Sequence, residues 1–269
     1  MAILCREHDL LYIRVPATGS SVVAVALQNQ LGGERVPAQP VRREGQTVVP
    51  EKHCTVPELV EYGVLAQGEI DACLVAANVR NPFDRWTTYY QRRAGTEWIE
   101  SSLDVLRRQL ERDRDAHDLS DSAYEQRRRD IEQWKRQQKR KGRLMRWVGF
   151  NTWMTYTLLR WGWKAGGGNN HEIGEYAFPM LSGVDVAIRQ ERLNEGLNRV
   201  LRAAGVGARV KLPEENTTSG KKPYTEYYSW TTRTLAERMF APQMGRLGYD
   251  FEGPVDDKSI IFLEEASGS

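Results

Sequence analysis

Two largely apolar runs, each leading into a helix-start signal, constrain this chain more than anything else in it. Leu10 to Val15 reads Leu-Leu-Tyr-Ile-Arg-Val and passes into Pro16-Ala17-Thr18-Gly19-Ser20-Ser21. Ala72 to Val79 reads Ala-Cys-Leu-Val-Ala-Ala-Asn-Val and passes at once into Arg80-Asn81-Pro82. Apolar runs of strand length without alternation suit strands covered on both faces, as in parallel sheets. Behind the first run, Val23, Leu27 and Leu31 keep helical spacing until Gly32-Gly33. Behind the second, Asn81 is a good N-cap and Pro82 a good first helical residue, and Trp86, Tyr89 and Tyr90 share one helix face. A third run, Val184 to Ile188, precedes a Leu193, Leu197, Val200, Leu201 stripe that Gly205 ends. Strands alternating with helices predict an α/β fold with a central parallel sheet.

The rest is less regular. Residues 33–57 are punctuated by Pro and Gly and read as irregular, Pro57 to Gly63 as a short helix, and Lys211 to Lys222 as a polar loop. A last helix is expected over Thr232 to Met244, with a Thr234–Glu237 capping box.

With 269 residues the chain is read as a single domain, 1–269. Its net charge of +2 excludes a strongly basic nucleic-acid binder, but that charge is unevenly spread. Residues 101–146 hold 14 Lys/Arg against 9 Asp/Glu, a net +5 that leaves −3 elsewhere. Leu103, Leu106 and Leu110 keep helical spacing there, then apolar residues thin out to Tyr124, Ile131 and Trp134. This block is expected to be a charged helical insertion, a long exposed helix or a hairpin broken near His117–Ser122. Trp147, Trp153, Trp161 and Trp163 follow closely; packing in the core is the plainer reading, lining an acceptor pocket the other. Gly166 to Asn170 reads as a loop.

No run of about 18 uncharged apolar residues is present, and the first residues carry Arg6, Glu7, His8 and Asp9 where a signal peptide needs an apolar stretch. Cys5, Cys54 and Cys73 form no pair motif with one another or with His8, His53, His117 and His171, so a reducing compartment and no metal site are expected. No membrane span and a cytoplasmic location follow as expectations.

Chemistry concentrates at the two strand ends. Thr18, Gly19, Ser20 and Ser21 would bring backbone N–H groups and hydroxyls to a helix N-terminus, where the dipole favours an anion. The Gly-Lys-Ser/Thr ending of a Walker loop is missing, which counts against a P-loop kinase or NTPase. Arg80, delivered to the carboxyl edge of its strand, is placed for bidentate phosphate binding, with Thr88 two turns further on; a local Arg80–Asp84 ion pair is the plain alternative.

At these residues the chain resembles the sulfotransferases that use 3′-phosphoadenosine 5′-phosphosulfate (PAPS). Val79-Arg80-Asn81-Pro82-Phe83-Asp84-Arg85 followed by Thr88 resembles their 3′-phosphate motif, and Tyr12 to Ser21 their 5′-phosphosulfate loop. Val184 to Leu193, Asn216-Thr217-Thr218 and Gly248-Tyr249-Asp250-Phe251 resemble later signatures of the membrane-type and carbohydrate branch. The resemblance implies a P-loop-like three-layer fold. It also implies PAPS as donor and 3′-phosphoadenosine 5′-phosphate (PAP) as product, held by Arg14, Ala17, Thr18, Gly19, Ser20, Ser21, Arg80, Thr88 and Asn216. The acceptor it implies is a hydroxyl of a carbohydrate or a small-molecule natural product. One departure stands out: the loop lysine of the family is here Ala17. Arg14, Lys52, Lys221 and Lys222 are candidates to replace its charge, and an impaired nucleotide-binding or scaffold relative is the rival reading. Sulfuryl transfer needs a base for the acceptor proton. His53 is the expected base, with Glu51 in reserve and His171 and His117 behind them.

Overall fold

A computed structural model describes residues 2–43, 46–50, 53–115, 120–165, 179–212 and 222–263. The strands are β1 (Ala2–Cys5), β2 (Leu10–Ile13), β3 (Glu34–Val36), β4 (Val41–Arg43), β5 (Gln46–Val49), β6 (Leu74–Val79), β7 (Val186–Arg189) and β8 (Ile260–Phe262). The helices are α1 (Ser20–Leu31), α2 (Val56–Glu61), α3 (Gln67–Asp71), α4 (Pro82–Ala94), α5 (Glu97–Asp115), α6 (Asp121–Ala165), α7 (Leu193–Ala203) and α8 (Trp230–Leu247).

The three apolar runs become neighbours at the centre of a six-stranded sheet ordered β3-β1-β2-β6-β7-β8. Leu10 lies opposite Leu74 and Ala76 opposite Val186, both pairings parallel. The periphery departs from the parallel expectation, since β1 pairs antiparallel with β2 and β3, and β8 with β7. The reason at β1 is the four-residue link Arg6–Asp9, closed by left-handed Asp9 (φ 43°); only an antiparallel pair can be joined so tightly. Residues 33–57, expected to be irregular, contain β3, β4 and β5; three or four residues are too few to show a strand period.

Alternation explains why the central strands are apolar throughout. Leu11, Ile13, Val75, Ala77 and Val79 face one side, against Leu59 of α2 and Leu247 of α8. Leu10, Tyr12 and Ala76 face the other, against Val23 and Leu27 of α1 and Leu197 and Leu201 of α7. A third cluster joins α4, α6 and α8 around Phe83, whose ring meets Tyr228, Phe240 and Phe251 edge-on at 5.2, 5.4 and 4.8 Å.

α5 and α6 run antiparallel, linked by Arg107–Glu132 (3.1 Å), Asp113–Arg127 (2.7 Å) and Glu100–Lys139 (2.9 Å). α5 ends at Asp115 and α6 starts at Asp121, while His117 lies outside the described residues. α6 continues to Ala165 with a kink at Gly149 (φ 76°). The tryptophans it carries do not form one group. Trp147 is 83% exposed, Trp153 stacks on Tyr89, and the side chains of Trp161 and Trp163 lie outside the described residues. The last helix starts one turn before the expected capping box, because Ser229 already accepts from the Thr232 N–H. Thr234 instead donates to the Trp230 carbonyl, and Glu237 accepts from Arg233. Among the described residues no helix is long and apolar enough to cross a membrane.

Candidate functional site

Because β2, β6 and β7 are parallel, their carboxyl ends lie along one edge, and each delivers a polar segment there. From β2 comes the loop Arg14–Gly19. The Thr18 and Ser20 hydroxyls both donate to the Val15 carbonyl, at 2.9 and 2.8 Å, and so close the loop upon itself. Their role is to hold its shape, whereas the sequence suggested that they point at a ligand. Ala17 (φ 62°) and Gly19 (φ 76°) are left-handed, the kind of turn that aims successive backbone N–H groups to one side. A Cβ on Gly19 would approach Leu193 to 3.2 Å in a strained backbone. Gly19 caps α1 without a side chain and no acidic residue stands in its first turn. Among the described residues the opening N–H groups of α1 therefore meet no acidic side chain of their own first turn, and they suit an external anion.

From β6 comes Arg80. Its Nε and Nη2 both reach Asp84 Oδ2, at 2.7 and 2.5 Å, and its Nη1 donates to the Ala17 carbonyl at 3.1 Å. The expected local ion pair is thus present, and one guanidinium joins the two motifs. Asn81 fixes its position. The Asn81 side chain accepts from the Phe83 N–H (2.9 Å) and donates to the Asp250 carbonyl (2.8 Å). Phe83, anchored in the aromatic cluster, holds the start of α4. Asn78, fully buried in β6, donates to the Thr18 carbonyl at 3.0 Å. Its Oδ1 has no partner among the described residues. Thr88 is 1% exposed, one turn beyond Asp84, so its hydroxyl is covered in this structure.

From β7 comes Glu191, which the sequence did not single out. It accepts the Asn81 N–H at 3.1 Å and the Tyr249 hydroxyl at 2.7 Å. Burial first, then Glu191, push the Tyr249 phenol far up, so it stays protonated and donates. Tyr224 is pushed up to about 12 by burial and then by Asp84 and Glu191, and it donates to the Phe251 carbonyl. Before Glu191, Arg189 is 1% exposed and donates to Asp256 and to the carbonyls of Leu247, Gly248 and Lys258. The resemblances at Val184 to Leu193 and at Gly248 to Phe251 pointed at these segments without giving Arg189 or Glu191 a role.

Arg14 and His53 complete the edge. Arg14 Nη2 donates to Ser21 Oγ at 2.9 Å, bringing a guanidinium to the first turn of α1. His53 Nδ1 donates to the Arg14 carbonyl at 2.9 Å. A carbonyl only accepts, so Nδ1 carries the proton and Nε2 is the basic nitrogen of the neutral ring. Glu51, Lys52, His171, Asn216 and Lys221 lie outside the described residues; Lys222 pairs with Glu226 at 3.9 Å. A separate cleft between α5 and α6 is lined by Arg107, Tyr124 and Arg136 and includes none of these strand-end residues.

The fold is that of an α/β protein with a sheet whose central strands are parallel, and this edge gathers the ends of those strands beside a helix N-terminus. Residues 1–246 match the sulfotransferase family, and the chain belongs to that family. No curated protein and no solved structure matches it. Membership implies a transferase acting on a hydroxylated acceptor.

Proposed function

We propose that the protein transfers a sulfuryl group from PAPS to a hydroxyl of a carbohydrate or small-molecule natural product, as a cytoplasmic single-domain enzyme with residues 101–146 as its insertion. The observation that carries this reading is the Arg80 guanidinium, which touches both the Asp84 carboxylate and the Ala17 carbonyl and so brings the two expected phosphate sites together. The residues present suit the nucleotide: Gly19 leaves the N-terminus of α1 open, and Arg14 and Arg80 flank it. PAPS supplies the sulfuryl group when bound and leaves as PAP. The backbone N–H groups of Gly19, Ser20 and Ser21 would hold its 5′ end and Arg80 its 3′-phosphate, with Thr88 joining once its hydroxyl is uncovered. Arg14 supplies the cation that the loop lacks at Ala17, because its guanidinium already lies at the first turn of α1. His53, held by the Arg14 carbonyl, accepts the acceptor's hydroxyl proton at Nε2 as that oxygen becomes the nucleophile.

Calorimetric titration with PAP tests the reading. Micromolar binding abolished by Arg80→Ala is expected; no binding, or binding that Arg80→Ala leaves intact, sinks it. His53→Ala should stop transfer while PAP affinity stays the same. Ala17 favours one rival, a nucleotide-binding relative without turnover, and PAP binding with no transfer to any hydroxylated acceptor would select it.

A further inference from the structure

From Gln133 to Ala165 the chain carries nine Lys and Arg, no Asp or Glu, and five of its eight tryptophans. All of these lie on α6, and packing decides which of them face outward. Gly142 sits so close to the end of α4 that a Cβ there would meet the Arg93 carbonyl at 2.8 Å. Tyr90 donates to the Met145 carbonyl beside it, and Gln138 is buried. This contact fixes the inward face. The opposite face presents Arg140, Arg143 and Trp147, three or four residues apart and all exposed, with Leu144 alongside; Arg136, one turn earlier, is exposed too but also lines the α5–α6 cleft. Trp147 is 83% and Leu144 58% exposed. Among the described residues none of the three arginines forms an ion pair, unlike Arg107 and Arg127 nearer the tip, which are paired across the hairpin. Past the kink, Tyr156 and Leu159 are also exposed, at 63% and 58%, as is Trp230 at the start of α8.

We propose that this face of α6 docks on an anionic lipid bilayer. Arginines that form no ion pair among the described residues, on a stretch of helix with no acidic residue after Glu132, complement a negatively charged headgroup layer. An exposed Trp among them is the side chain that settles at the boundary between headgroups and acyl chains. The exposed leucines select lipid over a soluble polyanion, since aliphatic carbon gains nothing against phosphate or sulfate in water but is stabilised by entering the interface. The helix lies along the surface and does not cross it, which agrees with its high charge.

The proposal is independent of sulfotransfer, so its test needs no activity. The full chain is sedimented with vesicles of phosphatidylcholine containing about one-third phosphatidylglycerol, and with vesicles of phosphatidylcholine alone. Binding to the first, weakened by salt, and far weaker binding to the second are expected. Arg140→Gln with Arg143→Gln should lower partitioning about 30-fold, roughly fivefold per charge. Leu144→Gln with Trp147→Ala should lower it about tenfold at low salt and leave retention on a heparin column unchanged. All four positions are exposed, and circular dichroism checks that the variants keep their fold. Failure to sediment with the anionic vesicles overturns the proposal. So does Leu144→Gln/Trp147→Ala binding as tightly as the parent, which would assign the face to a soluble polyanion.

Discussion

The sheet edge and the helical arm hold comparable sets of arginines and use them in opposite ways. At the edge, Arg14, Arg80 and Arg189 are at most 13% exposed and bind carbonyls, hydroxyls or a carboxylate, and Arg80 and Arg189 reach carbonyls about 60 residues away. In the arm, Arg107 and Arg127 are 49% and 46% exposed and each meets one carboxylate across the hairpin. The contrast is one of surroundings. Away from water a guanidinium needs hydrogen-bond partners, and it then orients whatever surrounds it; in water the same group contributes little and is screened by salt. α6 shows both regimes in one helix. Before Gly149 it is mostly solvated, and after it Phe150, Met154 and Leu158 are buried against Phe83 and Phe240.

The contrast can be broken at several points. The largest expected effect is on ligand binding: Arg80→Ala should weaken PAP at least about 100-fold by calorimetry, whereas Arg107→Ala in the arm should leave it unchanged. Next is stability. Arg189→Met removes the donor shared by Leu247, Gly248, Asp256 and Lys258 and should cost roughly 3 kcal/mol, read as a lowered urea midpoint with unchanged m-value. Gly142→Val should cost about 1–3 kcal/mol by forcing α6 off α4, making it an arm position that behaves like the body. The smallest effect belongs to Arg127→Ala, which should move Tm by less than about 1 °C, a difference that vanishes in high salt. An Arg127→Ala shift as large as that of Arg189→Met would erase the distinction.

Much of this architecture was legible locally. The strand–turn–helix units, the Asn81 cap and the charged helical pair depend on neighbours a few residues apart. β1 and β3 were not legible, because strands of three or four residues show no period and owe their existence to the partner beside them. The capping box failed for a related reason: Thr234 and Glu237 have the right spacing, but Ser229 caps the helix one turn earlier.

The candidate site divides the same way. The sequence by itself determined that Arg80 stands at a strand end, that a small-residue loop opens α1, and that the loop lysine is Ala17. Only the tertiary structure decided that Arg80 reaches the Ala17 carbonyl 63 residues away, that Glu191 receives the Asn81 N–H across 110 residues, and that His53 leans on the Arg14 carbonyl. It also decided that the Thr18 and Ser20 hydroxyls serve the loop itself and that Arg14 brings charge to α1. Propensity and capping act over one or two turns, so they can be read in the chain. Which buried polar group satisfies which depends on strand order, and that is settled only when the sheet closes around them.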